Sequence, residues 1–262
     1  MAQLSTHCPL LDTQVIVTRA GHAAGILSRQ LRRLGAEVLP LAGYRLVPAA
    51  KSAVVHQQLA VALRADVCIF SSPAAVTFAA RSAVLQPGPS RCVVALGQAT
   101  ARTLRRHGVR QVVTPARQDS EGVLALPELA LLRGHTVAIV GAPGGRGLLQ
   151  QALRQQGAKL LEAWVYARID PRIKAGQRGA LRALCQPCYA LLSSVESIQR
   201  LQAVLGPKDF SHLRKAIAIA SSARVADAAC QAGFSPPYLA TSALAKDLLT
   251  ALLQVHIQAT RK

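Results

Sequence analysis

Aromatic residues are scarce in this chain: they make up 3% of its 262 residues, with a single tryptophan, Trp164. Grooves that track single-stranded nucleic acid stack bases on aromatic side chains, so nucleic acid is not expected as a partner despite a formal net charge of +19. The arginines are also dispersed, adjacent only at Arg32–Arg33 and Arg105–Arg106, where nucleic-acid recognition calls for a concentrated basic stripe. Acids are few as well, twelve in all, and fall mostly in predicted helices or loops, which leaves no basis for paired-carboxylate chemistry. The seven histidines have no acid in register with them. No second Cys-x-x-Cys or histidine pair completes a zinc site with Cys185-Gln-Pro-Cys188, so free thiols and no metal are expected. No apolar run approaches the ~18 residues of a membrane-spanning helix. The opening Met1–Cys8 has no positive segment followed by an apolar one, so the expectation is a cytoplasmic protein without a membrane partner.

What is present is a repetition. Gly35-Ala-Glu-Val-Leu-Pro-Leu-Ala-Gly-Tyr44 matches Gly157-Ala-Lys-Leu-Leu-Glu-Ala-Trp-Val-Tyr166 at a shift of 122 residues. The same shift carries Val15-Ile-Val-Thr18 onto Val137-Ala-Ile-Val140 and Phe70-Ser-Ser72 onto Leu192-Ser-Ser194. It slips to 125 for Ala101 and Ala226 and for Gly108 and Gly233, and is read as returning to 122 at Ser120 and Ser242. An ordered series of matches with one slip is an internal duplication of a domain-sized unit.

Within each copy, short apolar runs alternate with helical periodicity: Val15–Arg19, then Gly21–Leu34 with Ile26, Leu27, Leu31 and Leu34 on one face and Gly35 as its stop. That alternation predicts parallel sheets covered on both faces. Residues 37–48 and 159–169 read as extended links, and a strand is expected at Gln111–Thr114. Helices are expected over 121–132 and 195–204. In such sheets ligands gather at the carboxyl ends of the strands. There the sequence places small or hydroxyl residues just before helices: Thr18-Arg19, Ser71-Ser72, Gly97 to Thr100, Ser193-Ser194 and Ser221-Ser222. Such residues cap helices, and together they also present backbone N–H groups suited to anions. The glycine-rich Gly141–Gly147 loop matches neither the dinucleotide fingerprint nor a P-loop. It reads as a tight turn or an anion site, with nucleotide binding as the alternative.

Taken together, Val-Thr-Arg19, Gly35-Ala-Glu-Val-Leu-Pro40, Phe70-Ser-Ser-Pro-Ala-Ala-Val76, Val-Ala-Leu-Gly-Gln-Ala-Thr-Ala101, Asp-Ser-Glu-Gly-Val-Leu124, Gly144-Gly-Arg146 and Val-Tyr166 resemble the uroporphyrinogen-III synthase family. The resemblance implies an α/β fold of two doubly wound parallel-sheet, flavodoxin-like domains. They would be joined by a two-stranded β linker in an intertwined duplication. One domain would comprise residues 1–41 and 169–262, the other 46–162, with linker strands at 42–48 and 162–168. It implies a cofactor-independent monomer that closes hydroxymethylbilane, a linear octacarboxylate, into uroporphyrinogen III with its last ring inverted and water lost. Steering of an octa-anion would give the basic charge a use. Tyr166 matches the family's link tyrosine, a candidate acid for the departing hydroxyl, since a phenol is ordinarily protonated at neutral pH. Thr100 matches the threonine of the family's Gly-x-x-Thr-Ala turn, and Ser71, Ser72 and Gly97 match carboxylate-binding turns. Thr18, Arg19, Ser193, Ser194, Ser221 and Ser222 complete the expected substrate contacts. The alternative is a two-domain anion- or nucleotide-binding protein without turnover.

Overall fold

The computed structural model describes residues 8–50, 52–86, 92–144 and 147–260. The first copy runs β1 (Gln14–Val17), α1 (His22–Arg33), β2 (Glu37–Pro40), β3 (Arg45–Pro48), α2 (Ser52–Ala62) and β4 (Val67–Phe70). It continues through α3 (Pro73–Ala80), β5 (Cys92–Ala95), α4 (Gln98–Arg106) and the short α5 (Ser120–Leu124). The second copy repeats this as β6 (Thr136–Gly141), α6 (Leu148–Gln155), β7 (Lys159–Trp164), β8 (Tyr166–Ile169), α7 (Ala175–Arg182) and β9 (Cys188–Leu192). It closes with α8 (Val195–Leu213), β10 (Ile217–Ala220), α9 (Ala223–Gln231), β11 (Tyr238–Leu239) and α10 (Ala245–Thr260). The helix starts show that the shift, once at 125, stays there: Gln98 pairs with Ala223 and Ser120 with Ala245. The return to 122 expected at Ser242 does not occur.

The chain divides into two compact units, Met1–Leu46 with Ile169–Lys262, and Val47–Arg168. In the first, strands lie in the order β11-β10-β9-β1-β2, all parallel. In the second the order is β5-β4-β6-β7, again parallel, with Val113 forming a parallel bridge to Val94 beyond β5. Numbered by position within the repeat, both sheets read 2-1-3-4-5, the flavodoxin-like doubly wound order. The first two strands of each copy complete a sheet whose other strands come from the opposite copy. The protein is therefore a doubly wound α/β fold built by an intertwined duplication.

Strands β3 and β8 pair as a separate two-stranded sheet. The duplicated segments thus have two jobs, which their sequence alone did not separate. Their first halves, β2 and β7, pair with β1 and β6 as sheet edges, so Glu162–Trp164 lies in a sheet and not in the linker. Pro40 ends β2, where an edge strand tolerates a missing N–H. Only Arg45–Pro48 and Tyr166–Ile169 form the linker pair. The strand expected at Gln111–Thr114 is reduced to its bridge at Val113. The helix expected over 121–132 is interrupted: α5 is followed by a 3-10 turn at Pro127–Leu129.

Alternation along the buried strands feeds both faces of the first sheet. Ile16, Ala190 and Leu192 point to a core with Leu181, Ile198, Leu201 and Val225, under α7, α8 and α9. Val15, Val17, Tyr189 and Leu191 point the other way, to Leu27, Leu31, Leu248 and Leu252 of α1 and α10. In the second unit, Val67, Ile69, Val94, Val137 and Ile139 meet Val123, Leu129, Leu149 and Leu153.

Helix α8 runs to Leu213, beyond the expected 204, but its backbone breaks at Gly206 (φ 72°) ahead of Pro207. Arg178 repairs the break. Its guanidinium donates to the carbonyls of Val204 at 2.9 Å and Leu205 at 3.2 Å, which the interrupted helix leaves unbonded. It also reaches Asp209 at 2.5 Å, while Arg182 donates to the other oxygen of that carboxylate at 2.6 Å. Hydrogen bonds from Arg182 and then Arg178 lower the Asp209 pKa from 3.8 to about 2. A depressed carboxylate pKa stabilises the fold above the unfolded value, and that contribution is lost as pH falls through the folded value. Stability should therefore fall between about pH 4 and pH 2, and the fall should be shallower in Asp209→Asn. Denaturant midpoints across that window test this; equal slopes in the two proteins would remove Asp209 from the account.

Candidate active site

Both sheets reverse their winding at one place, between β1 and β9 in the first unit and between β4 and β6 in the second. Outside the carboxyl ends of these strands the flanking connections diverge and leave room for a ligand. Each reversal is stapled by a hydroxyl. Thr18 Oγ1 donates to the Leu191 carbonyl at 2.8 Å, and Ser71 Oγ donates to the Val140 carbonyl at 3.1 Å. Thr18 is fully buried, so its proton is committed to the strand pair.

In the second unit the structure brings Ser72 and Tyr166 together. Ser72 is the N-cap of α3: its Oγ accepts the Ala75 N–H at 3.1 Å, and Pro73 in the first turn gives up no useful donor. The chain leaves the sheet at Val165, whose N–H bonds Gly141 O at 2.9 Å, and the next residue is Tyr166. Its hydroxyl lies 3.2 Å from Ser72 Oγ. Its ring stacks on Phe78 at 5.4 Å and 18° between planes, and the Arg81 guanidinium lies over Phe78 at 5.0 Å from its centroid. Tyr166 is 3% exposed. Gly97 caps α4, and the side chain of Gln118 covers it: Gln118 Oε1 accepts the Gln98 N–H at 2.9 Å. Thr100 is buried in the first turn of the same helix. Of the Gly141–Gly147 loop, Gly145 and Arg146 lie outside the described residues; Gly147 caps α6 in the left-handed conformation.

In the first unit, Ser194 Oγ accepts the Ser197 N–H at 3.3 Å and Ser222 Oγ accepts the Val225 N–H at 3.4 Å, as caps of α8 and α9. Ser193 is half-buried, Ser221 buried. Arg19 extends past β1 and donates to the Ala243 carbonyl. Burial lowers its pKa, with the neighbouring Tyr44 acting in the opposite direction. Sequence reasoning did not pick out Phe78, Gln118 or Tyr44 for the site. Tyr44 carried a signal, its register with Tyr166; Gln118 sits in a loop with no pattern to reveal it. Among the described residues no group of three or more His, Cys, Asp or Glu could hold a metal ion.

The Tyr44 loop is fixed by a close approach. Gly43 donates to the Thr18 carbonyl at 2.9 Å, and a Cβ on Gly43 would lie 2.3 Å from Ser197 Cβ and 2.4 Å from Ser197 Cα. Ser197 is 1% exposed and anchored in α8, so it cannot swing away. Gly43→Ala should lower stability by about 1–3 kcal/mol through overpacking. Denaturant unfolding would measure this, and an unchanged midpoint would contradict the packing described.

The fold and its strand ends define a class: a duplicated, doubly wound α/β protein whose winding reversals carry hydroxyls and helix caps, with Arg19 at the first. Residues 23–250 match the family model for uroporphyrinogen-III synthase HemD. The chain belongs to the uroporphyrinogen-III synthase family, enzymes of porphyrin and haem biosynthesis. It is 26% identical over 195 residues to the uroporphyrinogen-III synthase of Escherichia coli, covering 73% of this chain and 79% of that one. With the uroporphyrinogen-III synthase of Chlorobaculum parvum it shares 26% identity over 179 residues, 63% and 67% of the two chains. Solved structures share the fold. A mutant uroporphyrinogen III synthase of Thermus thermophilus superposes with TM-score 0.60 at 18% identity, covering 94% and 99% of the chains. The uroporphyrinogen-III synthetase of Helicobacter pylori gives 0.59 at 14% identity, over 93% and 99%. Among the described residues, no helix is long and apolar enough to cross a membrane.

Proposed function

We propose that this protein closes hydroxymethylbilane into uroporphyrinogen III, inverting the last ring and releasing water. The observation that carries the reading is the Tyr166–Ser72 pair, a buried phenol 3.2 Å from a helix-capping hydroxyl at a winding reversal. As the C–O bond of the terminal hydroxymethyl group breaks, the phenol gives its proton to the departing oxygen, which leaves as water. Ser72 Oγ already accepts from the Ala75 N–H, so its own proton is free to face the phenolate that results. The ring stack on Phe78 holds the phenol in place through the change of charge. For the last ring to end inverted, the methylene carbon freed of its oxygen bonds first at that ring's substituted α-carbon. The ring's original bond from this α-carbon to its bridging methylene then breaks, and that methylene re-bonds at the free α-carbon. The proton shed there on rearomatisation returns to Tyr166. The strand-end turns at Ser71, Ser72, Gly97, Thr100, Ser193, Ser194, Ser221 and Ser222 would supply N–H groups to substrate carboxylates.

The linear tetrapyrrole also closes unaided, without inversion. The enzyme's contribution is therefore mostly orientation, which can be worth several powers of ten in rate. Consumption of freshly prepared hydroxymethylbilane, with and without protein, tests the reading. Acceleration is expected, and a protein that binds the tetrapyrrole without hastening its loss would be a binding protein instead.

A further inference from the structure

The two copies are related by the duplication, yet only one of them carries an arginine directly after its first strand. At the 122-residue shift Arg19 corresponds to Gly141, Tyr44 to Tyr166 and Ser72 to Ser194. In the second unit the Arg19 position is Gly141, where a Cβ would lie 2.4 Å from Ser71 Oγ and displace the hydroxyl that bonds the Val140 carbonyl. That end of the sheet presents the Tyr166–Ser72 pair, with Arg81 over Phe78. The first unit presents a half-buried guanidinium whose hydrogen-bond acceptor is the Ala243 carbonyl, a neutral group. No carboxylate pairs with Arg19 among the described residues. Other buried or half-buried arginines here, such as Arg178 and Arg200, have acids in place. A guanidinium has five N–H donors, arranged to grip a carboxylate in two places, and carbonyl contact uses few of them. Ser197, in the first turn of α8, keeps a buried hydroxyl without a partner and packs against Gly43, the neighbour of Tyr44.

We propose that the duplicated ends have separate tasks: Arg19, positioned by Tyr44, is the charged carboxylate anchor of the first unit, while the Tyr166–Ser72 pair of the second carries the chemistry. The proposal rests on the function proposed above but is tested apart from it. Tyr44 is a positioning residue: it lies in electrostatic reach of Arg19, on the loop that Gly43 ties to Thr18.

The direct test is calorimetric titration with mellitate, a hexacarboxylate that cannot react, against the intact protein and its variants. Arg19→Gln should weaken binding by about 10–100-fold, the range of a lost charge-assisted hydrogen bond. Arg19→Lys should fall between wild type and Arg19→Gln, since it keeps the charge but not the planar fork. Tyr44→Phe should weaken binding less than Arg19→Gln does. Arg102→Gln, at an exposed arginine of α4, should leave affinity nearly unchanged. Wild type that fails to bind mellitate, equal losses at Arg19 and Arg102, or an Arg19→Gln of unchanged affinity would each overturn the anchor. If Arg19→Gln does not fold, Arg19→Lys and Tyr44→Phe still decide, because wild-type affinity in both would contradict it. With hydroxymethylbilane, Arg19→Gln should raise KM about 10–100-fold and leave kcat within about threefold. A protein that binds mellitate through Arg19 but never converts hydroxymethylbilane would keep the anchor and refute the function.

Discussion

Tyr166→Phe is expected to lower kcat by about 10²–10⁴-fold, the usual cost of removing a general acid. The substitution leaves the ring, so the stack on Phe78 at 5.4 Å persists and the linker keeps its packing. What disappears is the oxygen 3.2 Å from Ser72, a contact whose stability contribution is only about 1 kcal/mol. The large effect should therefore appear in turnover and not in folding. KM should change little, because carboxylate binding is proposed to lie with the backbone turns and Arg19. The residual product should still be uroporphyrinogen III, since inversion depends on how the chain ends are held and not on this proton. A variant with wild-type kcat would make Tyr166 a packing residue. One that released mostly the uninverted isomer would show that its hydroxyl orients the substrate.

The second large effect concerns the fold. Phe70 ends β4, is 1% exposed, and pairs in register with Ala95 of its own copy and Val140 of the other. Phe70→Ala should cost about 3–5 kcal/mol, the transfer and cavity terms of a lost core phenylalanine. The loss should be local. Hydrogen exchange should quicken across β4, β5, β6 and β7, whose strands share one sheet, while β1, β9 and β10 keep their protection. That pattern would show the strands of copy two unravelling with those of copy one, as the intertwined topology requires. Quickened exchange divided by copy, with β6 and β7 spared, would contradict it.

Much of this was legible in the residues, and the failures have physical reasons. Ser72 and Ser222 read as caps because a hydroxyl before a helix has one obvious use, and both do cap. Parallel sheets covered on both faces followed from strand–helix alternation, and their doubly wound, intertwined order was what the family resemblance implied. The division of 159–169 did not, because a sheet edge and a linker strand are both extended and half-buried; only pairing with β6 or β3 separates them. The stop expected after residue 204 was real as a break at Gly206, but the helix resumes because Arg178 and Asp209 hold the two halves together. The return to a shift of 122 read at Ser242 failed because a single serine match does not fix register: α10 begins at Ala245, and the Ser242 hydroxyl donates to Asp247 in its first turn. At the site, Thr18 looked like a ligand donor in sequence. Its proton goes to Leu191, 173 residues away, an allocation set by strand register that no local pattern encodes.

The central claim, that this chain holds a linear tetrapyrrole in the geometry of inversion, rests most directly on the isomer it makes. Freshly prepared hydroxymethylbilane should be incubated with the protein, the products oxidised to porphyrins, and types I and III separated by chromatography. The account predicts predominantly type III, against type I in the protein-free blank. Type I in both samples would contradict it.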